Sequence, residues 1–463
     1  MHLEFSPRKE LNIPTNIKRI LVPRFDTFGD IVLLEGFIEA LGRQFPDAEI
    51  TMLVCERYDQ LAPLFPDGLR WTTTVLKPFV EPTENDLAEF RAFLETLVKQ
   101  SWDMVLTTAY NHTWLDNALI AKFAETFKVA IGSLGTEENR TDRLSKVVPV
   151  DEKARETDKY QVLWETLTDK GDKLPLPRLN VPKELTDEAN VVLNNIGLGK
   201  SEYFVCVPAG TQNQLIKAWP KERFAEIISW ITVEYGLSPL LVGHESERDV
   251  VEAVAELVRE KGGRPFIWIG KNGEIPVLAA LMQKARFYFG NDTGPLHMAA
   301  AVGIPVVGIF GGGHWLRFLP VGPHSIGLAG DLPCFGCGWD CIFGDAPCVR
   351  LVGVDDAKKA LQIILDGKTL DTNLLCASHR VSDETAEFIK KAQQELIRRE
   401  SICLERIKSV DDLSRKRLLM AEVNSAELHK IIETIQKSIK SINSSYIWKI
   451  TEPIRRILDS LKK

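Results

Sequence analysis

The sequence GNDTGPLHMAAAVGIPVVGIFGGG, residues 290–313, contains the clearest local pattern in the chain. Its polar segment ends one strand and begins a helix of small residues, because Asp292 or Thr293 can cap that helix. The β-branched run that follows predicts a second strand, and the three glycines predict a loop. A strand, a helix and a second strand in this order are typical of a parallel sheet with helical connections.

The start of this helix is a candidate site for an anion. Gly294 lets a ligand approach the backbone, and the first N–H groups of a helix have no partner within the helix. These N–H groups and the helix dipole both favour a negatively charged group such as phosphate. The alternative is an ordinary capped helix, so other motifs must decide between the two.

Short β-branched runs alternate with amphipathic helical patterns along most of the chain. The predicted strands lie at residues 19–25, 49–54, 72–77, 103–108, 128–133, 203–210, 238–244, 265–270, 285–292 and 304–311. A Pro- and charge-rich passage at 172–188 interrupts them. We therefore predict two Rossmann-like, doubly wound α/β domains, at 14–185 and 201–367, joined by a linker at 186–200. They would face each other across a cleft at the carboxyl ends of their strands, where such folds bind ligands.

The composition limits the function classes. The chain has 463 residues, of which 44% are apolar, and a net charge of −7, so we expect more than one domain and no nucleic-acid partner. No apolar run is long enough to span a membrane, and the N-terminus lacks an apolar signal core. These features favour a cytoplasmic protein.

Two further motifs place chemical groups at strand ends. PAGTQNQLIKAWPKERF (208–224) carries Thr211 and Lys217 in a loop before a helix, and RFDTFGDIVLLEGF (24–37) carries Asp30 where a strand runs into a helix. Lys217 could instead be an ordinary loop lysine, and Asp30 only a first-turn acid. A carboxylate on one side of a cleft and an anion site on the other would suit group transfer from an activated phosphate ester.

These segments, together with LVGHESERD (241–249), resemble glycosyltransferase family 9, which includes the lipopolysaccharide heptosyltransferases and has the GT-B fold. The resemblance covers roughly residues 18–366. It implies an inverting, metal-independent transfer of a sugar, usually heptose from an ADP-activated donor, onto a bacterial surface glycan or lipopolysaccharide-type acceptor. The absence of a D-x-D triplet is compatible with a reaction that uses no catalytic metal. The N-terminal domain would bind the acceptor, and the C-terminal domain the nucleotide-sugar.

The resemblance also implies roles for individual residues. Asp30 would be the general base that takes the proton of the acceptor hydroxyl, and Lys217 would neutralise the leaving diphosphate. The residues expected to bind or face the donor are Thr211, Glu247, Asp292, Thr293, Gly294 and His297. From their position after a strand, His112 and Trp114 could line the acceptor face, although Trp114 could equally be a core residue and His112 a solvated one.

Four cysteines lie close together in the segment 334–348. Cys334, Cys337, Cys341 and Cys348 have a spacing at which thiolates can bind a structural Zn or Fe ion. Four reduced thiols that pack a loop beside Trp339 are an equal alternative.

The segment 373–463 differs from the rest because glycine is absent and basic residues are in excess. Leu428, Ile432, Ile435, Ile439 and Ile442 form a short heptad pattern, which predicts a helical or coiled-coil tail. Such a tail could pair with a partner helix or contact the inner face of the inner membrane. A catalytically inactive GT-B scaffold that presents this tail to polysaccharide-assembly partners is the alternative to an enzyme.

Overall fold

The computed structural model describes the chain from residue 14 to 376 with gaps. The described residues are 14, 16–79, 82–123, 126–132, 144–210, 215–314, 316–322, 324–330, 332, 336–339, 341, 346–368, 374–376 and the single positions 391, 394 and 398. Most of the predicted tail at 373–463 therefore lies outside the described residues.

The first domain is built on a six-stranded parallel sheet. Its strands are β1 (Arg19–Arg24), β2 (Glu49–Cys55), β3 (Arg70–Thr74), β4 (Met104–Thr107), β5 (Phe127–Gly132) and β6 (Lys146–Pro149). They lie in the order β3-β2-β1-β4-β5-β6. The helices are α1 (Phe28–Leu33), α2 (Glu35–Gln44), α3 (Glu84–Val98), α4 (Trp114–Lys122) and α5 (Glu156–Thr168), with a 3-10 helix at Glu56–Leu64.

The second domain repeats this topology with one more strand. Its strands are β7 (Tyr203–Val207), β8 (Ser238–His244), β9 (Phe266–Gly270), β10 (Tyr288–Asn291), β11 (Val306–Ile309), β12 (Ser325–Ala329) and β13 (Leu374–Cys376). Their order is β13-β12-β11-β10-β7-β8-β9, and every pairing is parallel. The helices are α6 (Lys183–Asn195), α7 (Lys221–Tyr235), α8 (Arg248–Glu260), α9 (Ile275–Gln283), α10 (Gly294–Ala301), α11 (Pro347–Arg350) and α12 (Val354–Leu365).

The prediction of two parallel-sheet α/β domains is confirmed. In each sheet the chain order reverses next to the first strand, between β1 and β4 and between β7 and β10. Such a reversal leaves a crevice at the carboxyl ends of the strands. The strand-helix-strand prediction at 290–313 is confirmed as β10, α10 and β11, and Gly303 makes the turn after α10 at φ +90, which favours glycine.

Three features differ from the expectation. Strands β6, β12 and β13 were not predicted, since they are short and lack a long apolar run. Helix α6 occupies most of the predicted linker at 186–200 and packs against α9. The segment 374–376, assigned to the helical tail, is instead strand β13, because its backbone pairs with the open edge of β12.

None of the helices within the described ranges combines the length and the apolar character needed to cross a bilayer.

Candidate active site

Asp30 lies at the carboxyl end of β1, in the first turn of α1. Its Oδ2 accepts hydrogen bonds from the Thr27 hydroxyl at 2.6 Å and from the Thr27 N–H at 3.2 Å. Its Oδ1 accepts one from Arg24 Nη2 at 3.2 Å. Asp30 is therefore a capping acid, as the simpler interpretation expects, and these bonds also fix a buried carboxylate at the mouth of the first domain.

The start of α1 touches the start of α10 in the other domain. A Cβ atom built on Gly29 would lie 2.9 Å from Gly294 Cα and 3.1 Å from His297 Cδ2. A Cβ on Gly294 would lie 2.5 Å from the Phe28 ring. Only glycine permits this approach at either position, so the structure brings the Asp30 turn and the predicted anion site together.

The N-terminus of α10 has backbone donors without a partner in the described part of the chain. No side chain of a described residue caps the helix through a hydrogen bond, and Pro295 has no N–H. The N–H groups of Thr293 and Gly294 make no hydrogen bond to other described residues, and both residues remain partly exposed. Phe28 covers one side of this helix start without supplying an acceptor, so among the described residues nothing takes up these two backbone donors, and they can bind an anion.

Lys217 lies beside this helix start. Its Nζ is 3.3 Å from Asp292 Oδ2 and 4.9 Å from the centre of the Trp339 ring. The side chains of Lys217 and Asp292 are 16% and 8% exposed. The ammonium is therefore held between a carboxylate and an aromatic face at the edge of the predicted phosphate site.

Buried contacts hold the segment 208–224, which carries Lys217, against the segment 290–297, which begins α10. Asn291 donates its side-chain N–H to the carbonyl of Pro208 at 2.8 Å and accepts from the Trp219 N–H at 3.2 Å. Gly210 has φ +84 and packs so closely on Thr293 that a Cβ there would lie 2.6 Å from Thr293 Cγ2. Asn291 thus aligns the strand ends of β7 and β10.

Glu247 has both carboxylate oxygens in use. Oε1 accepts the Gly210 N–H at 2.7 Å, and Oε2 accepts the His244 N–H at 3.0 Å. In the structure Glu247 supports the loop after β7, and its contact with the nucleotide-sugar donor stays a prediction.

His297 is buried under the contact between α1 and α10. Burial lowers the pKa of His297, so the ring is neutral near pH 7, and its Nδ1 has no partner among the described residues. The imidazole therefore adds no positive charge to the predicted phosphate site.

A buried ionic cluster that no sequence motif predicted lies behind Asp30. Arg24, at the end of β1, is fully buried, and its guanidinium contacts Asp26, Asp30, Glu156 and the Thr108 carbonyl. Burial raises the pKa of Asp26 to about 8, because lost hydration outweighs the attraction of Arg24. The Asp26 side chain is 14% exposed, so it is a second candidate base on the same loop.

Glu156, the first residue of α5, is the other centre of this cluster. It pairs with Arg24, with Lys159 at 3.3 Å and, across the domain boundary, with Arg317 at 2.8 Å. Burial alone would raise the pKa of Glu156, but these cations lower it to about 2. Arg24 and Arg317 are both more than 100 residues away in sequence, so no local signal could have revealed this centre.

His112 and Trp114 make contacts within the first domain. His112 Nε2 lies 3.1 Å from the Ile131 carbonyl oxygen, and the Trp114 ring packs edge-on against Phe90 at 5.4 Å. Trp114 is therefore a packing residue, while the Nδ1 of His112 is buried without a partner among the described residues. A role for either in acceptor binding stays a prediction.

The cysteine segment packs against the glycine loop that follows β11. Gly312 donates its N–H to Cys348 Sγ at 3.3 Å, and Trp339 fills the space above Gly311 and Gly313. Thr211 and Cys334 lie outside the described residues. Across the described positions, no group of three or more His, Cys, Asp or Glu side chains could hold a metal ion. The four-cysteine site stays a prediction.

Two facing parallel-sheet domains that meet at strand ends define a GT-B-like fold. Residues 90–338, more than half of the chain, match the profile of glycosyltransferase family 9 (heptosyltransferase). The chain belongs to this family, as its motifs predicted.

Relatives and solved structures agree with this assignment. The chain is 30% identical over 114 residues to lipopolysaccharide heptosyltransferase 3 of Escherichia coli K12, which is 25% of this chain and 32% of that protein. It thus spans about a third of this relative's length. The glycosyl transferase family 9 structure from Veillonella parvula matches with a TM-score of 0.61 at 20% identity, over 76% of this chain and 98% of that one. The E. coli ADP-heptose lipopolysaccharide heptosyltransferase II matches with a TM-score of 0.56 at 15% identity, over 76% and 99%. At these identities the structures support the fold alone.

Proposed function

We propose that the protein is an inverting, metal-independent glycosyltransferase that moves a sugar, most simply heptose from ADP-heptose, onto a bacterial surface glycan or lipopolysaccharide-type acceptor. The observation that carries the proposal is the contact of the Asp30 turn with the uncapped start of α10 across the two domains. Family membership and related proteins named for ADP-heptose and lipopolysaccharide support this choice of donor.

In this mechanism Asp30 accepts the proton of the attacking hydroxyl as the hydroxyl oxygen bonds to the anomeric carbon. The bond from that carbon to the diphosphate breaks, and negative charge grows on the leaving oxygens. The N–H groups of Thr293 and Gly294 and the ammonium of Lys217 stabilise this charge. Preorganised donors of this kind stabilise the transition state more than the ground state, which accelerates the step.

A thermal shift experiment tests the donor class. ADP and ADP-heptose should raise the melting temperature, and ADP at about one hundred times its dissociation constant should stabilise the fold by about 2.7 kcal/mol. UDP-sugars at the same concentration should give no shift. If no nucleotide shifts the melting temperature and no sugar is transferred, the inactive-scaffold alternative takes the place of this proposal.

The second prediction concerns Gly29, which lies at the contact between the two domains. The substitution Gly29→Ala puts a methyl group against the backbone of Gly294, so the domains must separate, and we expect transfer to fall by about 10²-fold. The melting temperature should fall little, because alanine favours helix α1. Gly42→Ala is the matched control, since its Cβ would meet nothing closer than Ile50 Cδ1 at 4.0 Å. Full activity of Gly29→Ala would contradict the proposal that transfer requires the close contact between α1 and α10.

The cysteine segment makes a third prediction. We propose that its four thiolates bind one structural Zn or Fe ion, which would fix the loop that carries Trp339. Metal analysis of the purified full-length protein should then find about one equivalent of either metal. A content below about one tenth of an equivalent would leave the alternative of four reduced thiols.

We also propose that the enzyme works in the cytoplasm and that residues 373–463 bring it to a membrane surface or to a partner helix. The excess of basic residues and the heptad pattern of that segment support this role.

A further inference from the structure

We propose that Glu156 and Arg317 form an interdomain latch and that Arg24 couples this latch to Asp30. Glu156 and Arg317 are positioning residues, because they act on Asp30 through Arg24. The coupling rests on the proposed function, whereas the latch itself can be tested without any substrate.

The latch joins the loop after β11 in the second domain to the start of α5 in the first. Arg317 Nε donates to Glu156 Oε2 at 2.8 Å, and Arg317 Nη2 lies 3.4 Å from Glu156 Oε1. The backbone takes part as well, because the Glu156 N–H donates to the Arg317 carbonyl at 2.9 Å. The Glu156 side chain is fully buried and that of Arg317 is 10% exposed, so water does not screen this pair.

Backbone strain beside the latch supports a specific role. Leu316, directly before Arg317, has φ +67, a left-handed conformation that is unfavourable for a non-glycine residue. The bonds of Arg317 to Glu156 help to offset this cost. Without them, we expect Leu316 to leave this conformation.

Arg24 links the latch to the proposed base. One of its nitrogens, Nη2, lies 3.0 Å from Glu156 Oε1 and 3.2 Å from Asp30 Oδ1. A shift of Glu156 that follows the loss of Arg317 therefore changes how Arg24 holds Asp30. A misplacement of about 1 Å in a reacting group can cost about 10²-fold in rate.

Each substitution in the cluster changes the net charge that Asp30 faces, and this change gives the test its sign. Three carboxylates, Asp26, Asp30 and Glu156, face three cations, Arg24, Lys159 and Arg317. The other titratable groups that face Asp30 are Tyr58, Tyr160, His297 and His314. Relative to the wild type, Glu156→Gln makes the cluster one charge more positive, Arg317→Gln makes it one charge more negative, and the double variant leaves its net charge unchanged.

Hydrogen exchange of the full-length protein without ligand tests the latch. Arg317→Gln should increase exchange in peptides that cover residues 153–160 and 314–320, and leave exchange in β7 and β8 unchanged. Arg248→Gln is the matched control, because Arg248 pairs on the surface with Glu252 within α8. Unchanged exchange at 153–160 in Arg317→Gln would overturn the latch.

The pH dependence of kcat/KM tests the coupling. Glu156→Gln should shift the acid limb of the profile to lower pH by about one unit, because excess positive charge keeps a nearby carboxylate ionised. Arg317→Gln should shift it to higher pH, and the double variant should return it toward the wild-type position. Each single variant should lose about 10²-fold in kcat/KM. Two single variants with the same shift, or with none, would overturn the coupling.

The two failures can be told apart. If the wild-type protein transfers no sugar, the proposed function fails, and hydrogen exchange still decides whether the latch exists. If the wild-type protein is active but the acid limbs of the two single variants do not shift in opposite directions, only the coupling of the latch to Asp30 is contradicted.

Discussion

Asp30→Asn should lower the transfer rate by about 10²–10⁴-fold, the range that a general base contributes. Asparagine has the shape of aspartate but cannot take the proton of the acceptor hydroxyl. Its amide oxygen can still accept from Thr27, so the cap on α1 should be kept. The amide nitrogen cannot accept from Arg24 as Oδ1 does, so the melting temperature should fall somewhat. Donor affinity should be nearly unchanged, because the proposed donor contacts lie on the second domain. Steady-state kinetics and calorimetric titration with ADP measure the two effects.

Asp26→Asn is the matched control, since Asp26 lies on the same loop and also pairs with Arg24, at 2.7 Å. We expect a smaller loss of activity in this variant, because Asp26 is not the proposed base. A larger loss in Asp26→Asn than in Asp30→Asn would transfer the role of base to Asp26. A fall in donor affinity as large as the fall in rate would make Asp30 a structural residue.

The residues that sequence could identify are those whose chemistry follows from local position. Asp30, Lys217 and Thr293 each follow a strand within one loop, and the carboxyl ends of parallel strands meet at one edge of a sheet. The contact between Gly29 and Gly294 could not be predicted in the same way, because it depends on how two separate domains pack. Sequence also left open whether Asp30 is a cap or a base, and the structure makes it a cap whose chemistry remains to be measured.

The ionic cluster behind Asp30 is non-local. Glu156 lies 132 residues after Arg24 and 161 residues before Arg317, and a buried charge has no period that a pattern could detect. Strand β6 was missed for a related reason, since four residues with only one fully buried side chain resemble a loop. Local sequence patterns predicted the order of the domains. The contacts among the buried charged residues depend on how the chain packs, so these patterns could not predict them.

Lys217→Met should lower kcat by about 10²–10³-fold, the cost of removing one preorganised donor to a developing negative charge. It should also weaken ADP binding, for two physical reasons. The ammonium no longer attracts the diphosphate, and Asp292 loses its partner at 3.3 Å and then repels the diphosphate. Lys221→Met is the matched control, because Lys221 is an exposed lysine at the start of α7 and should tolerate the change. Equal losses in the two variants would contradict a specific role for Lys217.

A double variant separates the two reasons. In Lys217→Met/Asp292→Asn the repulsive carboxylate is gone, so ADP affinity should recover in part relative to the single variant. The rate should stay low, because the neutral amide that replaces the Asp292 carboxylate does not neutralise the charge that grows on the leaving diphosphate. Recovery of both affinity and rate would mean that Lys217 only masks Asp292. Recovery of neither, measured by calorimetry and single-turnover kinetics, would mean that Asp292 faces away from the donor and that the ammonium alone attracts it.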